Sequence, residues 1–432
     1  MKIVVIGGGM MGLVAAEHLV RADKRVTLID RESQLGGLST WFDYGDFTWD
    51  KFYHVILPSD QLLIDLIRRL GLGSSLVWRQ SRTGYFQDSR HYSLSDNIEF
   101  LRFPLLSPVQ KSRLAWTIVY GSRLSNWRKL ENMTSEDWLL KHSGRGTYEA
   151  FWRPLLKAKL GNHYREVSAV FIWSYIKRLF SARDPSVGKE QLGHVQGGYR
   201  AIINSLAARI EERGEIRSRQ SVHAIRVDED NQLSLIANDR EERFDRIIFT
   251  GPTTALKRIC PEELINVEGD LDRVRYLGVI CLVLLTKKQL TPFYVLNISD
   301  DGIPFTGVVG MSSVVPKSET GDCFLTYFPK YIDANDAMFE RDDDSLLSDF
   351  MVAVRRLFPD FEDGDIVGCN IHRARIVQPL QVLNYSRLVP RVQTNHPGLF
   401  LLNTGQFVNN TVHNNQVIKI VAEFFEGNAD AF

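Results

Sequence analysis

One stretch constrains the fold more than any other. "KIVVI", Lys2 to Ile6, runs directly into Gly7-Gly8-Gly9-Met10-Met11-Gly12. After Lys2, the four residues Ile3 to Ile6 are β-branched and apolar without alternation, the pattern of a strand buried on both faces. After Gly12 the apolar residues Leu13, Ala16, Leu19 and Val20 recur at helical spacing, and Arg25 to Ile29 read as a second strand that ends at Asp30. A G-x-G-x-x-G between strand and helix, with an acid eighteen residues past its last glycine, is a dinucleotide-binding unit. Gly7 allows the tight turn, Gly9 lets backbone approach a pyrophosphate, and Gly12 allows close helix–strand packing. The amides of Met10 and Met11 open the helix toward the phosphates. Asp30 is placed to accept hydrogen bonds from ribose hydroxyls.

Composition narrows the remaining classes. The 432 residues carry 52 basic and 52 acidic side chains, a balance that argues against a polyanionic partner such as nucleic acid. The four cysteines are scattered, with no CxxC pair and no His cluster at metal spacing, so no metal site is expected. Nothing shows the Ser/His/Asp or Cys/His pattern of a covalent hydrolase. The apolar run before Gly7 is too short for a signal peptide, and no stretch reaches the ~18 apolar residues of a membrane span. The expected compartment is the cytoplasm, with peripheral membrane contact left open.

The averages conceal an asymmetry. All eight tryptophans lie between Trp41 and Trp173, and from Arg102 to Arg183 fifteen Lys and Arg stand against five Asp and Glu. Such a middle region faces something apolar, something anionic, or both; equally, it is a tryptophan-cored helical lobe with snorkelling cations.

The other α/β pieces are dispersed. Gly36-Gly37 follow Asp30 closely, and seven aromatics intervene before His54. Gly197-Gly198 open a helix with Ile202, Ile203, Leu206 and Ile210 on one face. A hairpin follows with its turn at Glu229-Asp230-Asn231, then a strand ends near Gly251. Apolar runs between Leu277 and Phe328 read as sheet, and Asp342-Asp343-Asp344 introduce an amphipathic helix. "PGLFLLNTGQ" reads as a turn and a buried strand, and "HNNQVIKIVAEFF" as a helix.

The order of strand, G-x-G-x-x-G, helix, strand, acid and Gly-Gly resembles the flavoenzyme superfamily of amine oxidases, protoporphyrinogen oxidases, phytoene-type desaturases and UDP-galactopyranose mutases. The resemblance implies FAD. It places the adenosine on Asp30 and Arg31, the pyrophosphate beside Gly36, Gly37, Leu38 and Ser39, and the adenine on the backbone of Val222. It implies further contacts at Gly251, at Gly405 and Gln406, and at the helix start Asn415, Gln416 and Val417. The superfamily usually has an acid where Gln406 stands; a neutral amide is expected to donate to phosphate instead.

The implied fold is α/β: a Rossmann-like FAD-binding domain built from discontinuous segments, with an inserted α+β substrate domain containing a helical lobe. The expected FAD domain is 1–60, 190–270 and 390–432; the substrate domain is 61–189 and 271–389. No catalytic residue is fixed. His54 and Lys51 are candidates because the superfamily turns this loop toward the flavin, although a lone histidine is more often a structural one. Arg153 and Lys157, at i and i+4 in a stretch that also holds Lys159, present two cations on one face for a phosphate or carboxylate, or else answer internal acids such as Glu149. The expected reaction is a desaturase-type oxidation of a largely apolar small molecule with an anionic group, isoprenoids among the candidates. A non-redox mutase on a nucleotide sugar and a non-catalytic flavin-binding scaffold are the alternatives. The oligomeric state is not legible.

Overall fold

The computed structural model describes residues 1–181, 190–238, 240–265 and 274–432. The expected junction at 270/271 lies outside the described residues, and that at 189/190 lies on their edge.

The first sheet has five strands, all parallel, in the order Leu399–Leu401, Arg246–Phe249, Lys2–Ile6, Arg25–Ile29, Glu215–Arg217. Its central strand alternates between two apolar environments, which is why the sequence shows no alternation. Ile3 and Val5 face a helical layer of Met10–Arg21, Tyr199–Glu211 and Asn414–Gly427. Val4 and Ile6 face an antiparallel meander of Val222–Val227, Leu233–Ala237 and Arg240–Phe244. Parallel strands require long crossovers. The second domain is inserted twice, in the connection from Ile29 to its neighbour Glu215 and in that from Phe249 to its neighbour Leu399.

That domain is built on a seven-stranded mixed sheet in the order Ile366–Pro379, Tyr276–Thr286, Phe324–Asp333, Gly307–Gly310, Val295–Ile298, Thr83–Gln87, Arg90–Ser93. Every residue of Tyr276–Thr286 is buried. Ile280, Leu282 and Leu284 pack under the helix Asp343–Leu357, whose N-cap Asp342 accepts the Ser345 amide. Val279, Cys281, Val283 and Leu285 face the loop around Tyr53. The helical lobe, Pro108–Arg123, Ser135–Thr147, Arg153–Leu160 and Ala169–Ser181, closes around Trp138, Tyr148, Trp152 and Trp173.

One boundary differs from the expected 60/61. The helix Gln61–Arg69 buries Leu63, Ile64, Leu66 and Ile67 in the same core as Val417 and Val421. Burial at roughly 1.5–3 kcal/mol per side chain commits this helix to the parallel-sheet domain. The chain enters the second domain only at Thr83.

Candidate functional site

The glycine loop is closed by contacts that the sequence motif does not reveal. Gly7 has φ +112°, and its amide donates to Ile29 O at 2.8 Å. The Thr250 hydroxyl, at the end of the adjacent strand, donates to Ile6 O (3.0 Å) and Gly7 O (3.1 Å). A methyl group on Gly7 would collide with that hydroxyl, and one on Gly12 with the Gly7 carbonyl. Gly9 is different: a Cβ there would meet nothing nearer than Gly37 Cα, at 3.9 Å. Gly36 (φ +115°) donates its amide to Gly8 O at 2.8 Å, which folds the second glycine pair onto the first.

The helix Met10–Arg21 therefore starts at Gly9 with no side-chain cap, and its first amides face a surface that both glycine pairs leave free of side chains. Met10 and Met11 bury their side chains in the core, so only their backbone is available there. Asp30 accepts from the Gly8 amide and from the Glu32 amide (2.7 Å). A carboxylate offers about four lone-pair sites, so it retains capacity for hydroxyl donors. Arg31 is exposed and paired with Glu32 at 3.1 Å. Val222 begins the edge strand of the meander. Uncapped amides, a surface free of Cβ atoms and a carboxylate with spare acceptors fit an adenine dinucleotide.

The C-terminal segment meets this loop through Asn414, whose Nδ2 donates to Ser39 Oγ at 3.2 Å. Its neighbours do other work. Asn415 Oδ1 accepts the Leu63 amide (3.0 Å), capping the helix Gln61–Arg69. Gln416 Oε1 accepts from Asn410 Nδ2 (2.8 Å), and Val417 is core. Asn403 is buried; it accepts the Gly405 amide (3.0 Å) and donates to Gly251 O and Thr253 Oγ1, both at 3.1 Å. Gly405 is buried against Tyr276 Oη, which a Cβ would approach to 2.6 Å.

Gln406 corrects an expectation. Its amide nitrogen donates to Leu401 O (3.0 Å) and Pro390 O (3.3 Å), and its oxygen accepts the Asn403 amide (3.1 Å). Both amide hydrogens are used within its own loop, which leaves none for a phosphate.

His54 lies beside the same patch. Its ring packs on Tyr199 at 4.7 Å between centroids, and the Asn414 amide faces the Tyr199 phenol. Nδ1 is 3.4 Å from Asp50 Oδ2 but not aligned for a hydrogen bond. Asp50 is buried, and its Oδ1 accepts the Tyr199 amide (2.9 Å), capping the helix that Gly197-Gly198 open. Lys51 lies near His372, which burial, assisted by the Lys51 charge, lowers to a pKa of about 4.

The two lobe cations are drawn away from the site. Arg153 is exposed and ion-paired with Glu149, and Lys157 is exposed and bonded to Asp301 at 2.7 Å. The cation that meets an aromatic wall is instead Lys159. Its Nζ is 4.5 Å from the Tyr331 ring centroid and 5.1 Å from that of Tyr175. The Tyr331 hydroxyl lies 3.3 Å from that of Tyr53. Burial pushes the Tyr53 and Tyr175 phenols up, so both stay protonated at neutral pH and serve as donors rather than bases.

A buried ion pair joins the two domains beside this patch. Asp60 receives Arg178 Nη1 (2.9 Å) and Nη2 (3.2 Å). His413, the N-cap of Asn414–Gly427, accepts the Gln416 amide on Nδ1 (3.3 Å), with Nε2 at 3.2 Å from Asn410 Oδ1. Burial, and then the Arg178 charge, lower its pKa to about 3.

A family model described as flavin containing amine oxidoreductase matches residues 10–401. The chain belongs to that family. FAD is its cofactor. Among solved structures, an oxidoreductase from Methanosarcina mazei superposes with a TM-score of 0.76 at 19% identity, covering 99% of this chain and 100% of that one. Wild-type putrescine oxidase bound to putrescine gives 0.72 at 14% identity, over 100% and 99% of the two chains. Reduced UDP-galactopyranose mutase gives 0.72 at 18%, over 98% and 95%. These likenesses establish the fold of this flavin oxidoreductase. A Synechococcus elongatus protein named "Probable zeta-carotene desaturase" is 23% identical over 185 residues, 37% of this chain and 38% of that protein. The chain therefore matches well under half the length of its curated relative.

Proposed function

We infer that this chain holds FAD with the adenosine at Asp30, the pyrophosphate over Gly9, Met10 and Gly36–Ser39, and the reactive ring toward the loop Lys51–His54. Bound FAD supplies a two-electron acceptor that takes hydride from a substrate C–H bond. The protein's own part is to orient an apolar substrate and to exclude water. Val279, Cys281 and Val283 with Tyr53 and Tyr331 give one apolar wall, and Tyr175 of the lobe lies on its other side. Lys159, with no carboxylate partner among the described residues, is the group that would pair with an anionic end of the substrate.

The observation that carries this reading is the Lys159–Tyr331–Tyr53 arrangement: an aromatic wall beside a cation that has no carboxylate partner among the described residues. It favours a desaturase-type oxidation of a largely apolar, anionic-headed molecule. The lobe cations that would bind a nucleotide sugar, Arg153 and Lys157, are already matched by acids.

The test is anaerobic titration of the flavin-loaded protein with zeta-carotene, an isoprenoid diphosphate and a UDP-hexose. Bleaching of oxidised flavin by the isoprenoid diphosphate, weakened by Lys159→Met, supports the reading; bleaching by zeta-carotene, a hydrocarbon with no anionic end, and not by the diphosphate would remove Lys159 from substrate binding. Isomerisation of the UDP-hexose by dithionite-reduced protein would replace it with a mutase. Flavin that only dithionite bleaches would leave a binding scaffold.

A further inference from the structure

We propose that the face formed by Asn97–Arg102 and Pro108–Arg123 docks on an anionic lipid surface. Ile98, Leu101, Val109 and Trp116 are 60%, 68%, 62% and 60% exposed. Among the described residues they are four of ten exposed large apolar side chains, gathered within nineteen positions. Single exposed apolar residues need no explanation, but a cluster does.

The arrangement is built rather than frayed. Pro108–Arg123 buries Leu114, Thr117 and Gly121, the last against Trp138 and Ile176. Val109 and Trp116, seven positions apart, therefore fall on the opposite face. Ser107 and Gln110 form a capping box at its start. Lys111 Nζ donates to Leu101 O at 2.5 Å, which ties the short helix beside the long one. The Trp116 ring stacks on Tyr120 at 5.9 Å. The result is two helices with apolar residues on both faces, one face turned to solvent.

Charge selects the occupant. From residue 100 to residue 130 the chain has Arg102, Lys111, Arg113, Arg123, Arg128 and Lys129 and no Asp or Glu. Asp96 and Glu99, at the start of the short helix, are taken up by local bonds: Asp96 accepts the Ile98 and Glu99 amides, and Glu99 accepts from the Ser93 hydroxyl and the Ser95 amide. The acids of the lobe are engaged inward or sideways: Glu131 with Ser386, Glu136 with Arg165, Asp137 with Thr134, Glu149 with Arg153, Glu166 with Arg275. Among the described residues, none of the six cations has a carboxylate partner. Exposed Ile, Leu, Val and Trp inside a cationic field suit insertion at the headgroup–acyl boundary of an anionic bilayer, where long cations snorkel to the phosphates. The inference does not rest on the substrate proposed above.

The experiment is co-sedimentation of the flavin-loaded full chain with vesicles of equal parts phosphatidylglycerol and phosphatidylcholine, beside pure phosphatidylcholine vesicles. We expect at least tenfold stronger partition onto the anionic vesicles and a steep loss with added salt. Leu101→Glu and Trp116→Glu should each lower it about tenfold with flavin content unchanged. Arg102→Glu combined with Arg123→Glu should lower it further, on the order of fivefold for each cation removed. Equal partition onto both vesicles, or pelleting that Leu101→Glu leaves unaltered, would overturn the proposal. So would a change in sedimentation-velocity mass with Leu101→Glu in the absence of vesicle binding, which would make this face a self-association surface.

Discussion

Asn414 and Ser39, 375 positions apart in the chain, meet through a 3.2 Å hydrogen bond between side chains. This bond brings the last helix of the protein to the loop that follows the glycine motif, so both ends of the chain contribute to one site. Asn414→Ala removes one partly buried hydrogen bond worth about 1 kcal/mol, and FAD affinity should fall about fivefold with the fold intact. Equilibrium titration of the apoprotein with FAD measures this; unchanged affinity would detach the C-terminal helix from the cofactor site.

The second and third glycines of the motif separate binding from folding. A Cβ at Gly9 meets nothing nearer than 3.9 Å, whereas one at Gly12 collides with the Gly7 carbonyl, which is backbone and cannot yield. Gly9→Val should fold with the thermal stability of the wild-type apoprotein yet lose FAD more than tenfold. Gly12→Ala should lose about 3 kcal/mol or more of stability, because overpacking against backbone is at the costly end of its range. Urea unfolding of both apoproteins and FAD titration of Gly9→Val distinguish the two roles.

Gln406 should behave as a structural residue. Glu in its place points a carboxylate at Leu401 O and Pro390 O, where the amide now donates. Gln406→Glu is expected to cost about 1–3 kcal/mol of stability, from two lost donors and opposed oxygens, without strengthening FAD binding. A variant that binds FAD more tightly at unchanged stability would contradict this.

Acid should weaken the fold through His413. Its native pKa, lowered to about 3, lies below the ordinary value of 6.5, so the native state keeps the ring neutral while the unfolded chain takes up a proton. Its contribution to stability is complete above pH 6.5 and declines as pH falls from there toward 3. His372, lowered to about 4, acts in the same sense. His413→Asn retains a side chain able to cap the helix and should flatten the fall in urea midpoint between pH 6.5 and 5, with His372 accounting for the residual slope. An unaltered slope would remove His413 from this role.

The fold was largely legible because its signals are local. Lys2 to Ile6, the glycine loop and Asp30 sit within thirty residues, and periodicity alone marks the helices at 199–211, 343–357 and 414–427. What was not legible depends on long-range meetings. Thr250 closes the Gly7 turn and Asn403 joins two strand ends, but neither carries a pattern of its own. The helix 61–69 read as part of the inserted domain because nothing in its sequence says which core receives Leu66. Arg153 and Lys157 looked available because their spacing is visible and their partners, Asp301 above all, are not; Lys159, two residues on, is the one that meets the tyrosines. In the asparagine-rich segment, the neighbouring amides Asn414, Asn415 and Gln416 have three separate tasks that composition cannot distinguish.

The central claim is that this surface of bare glycines and uncapped amides holds one FAD. The most direct test is the visible spectrum and FAD content of the purified chain after incubation with FAD and gel filtration, wild type beside Gly9→Val. One FAD per wild-type chain with an oxidised-flavin spectrum, and a colourless Gly9→Val of equal stability, is the predicted result. A wild-type chain that stays colourless, or a Gly9→Val that retains full flavin, would contradict the account.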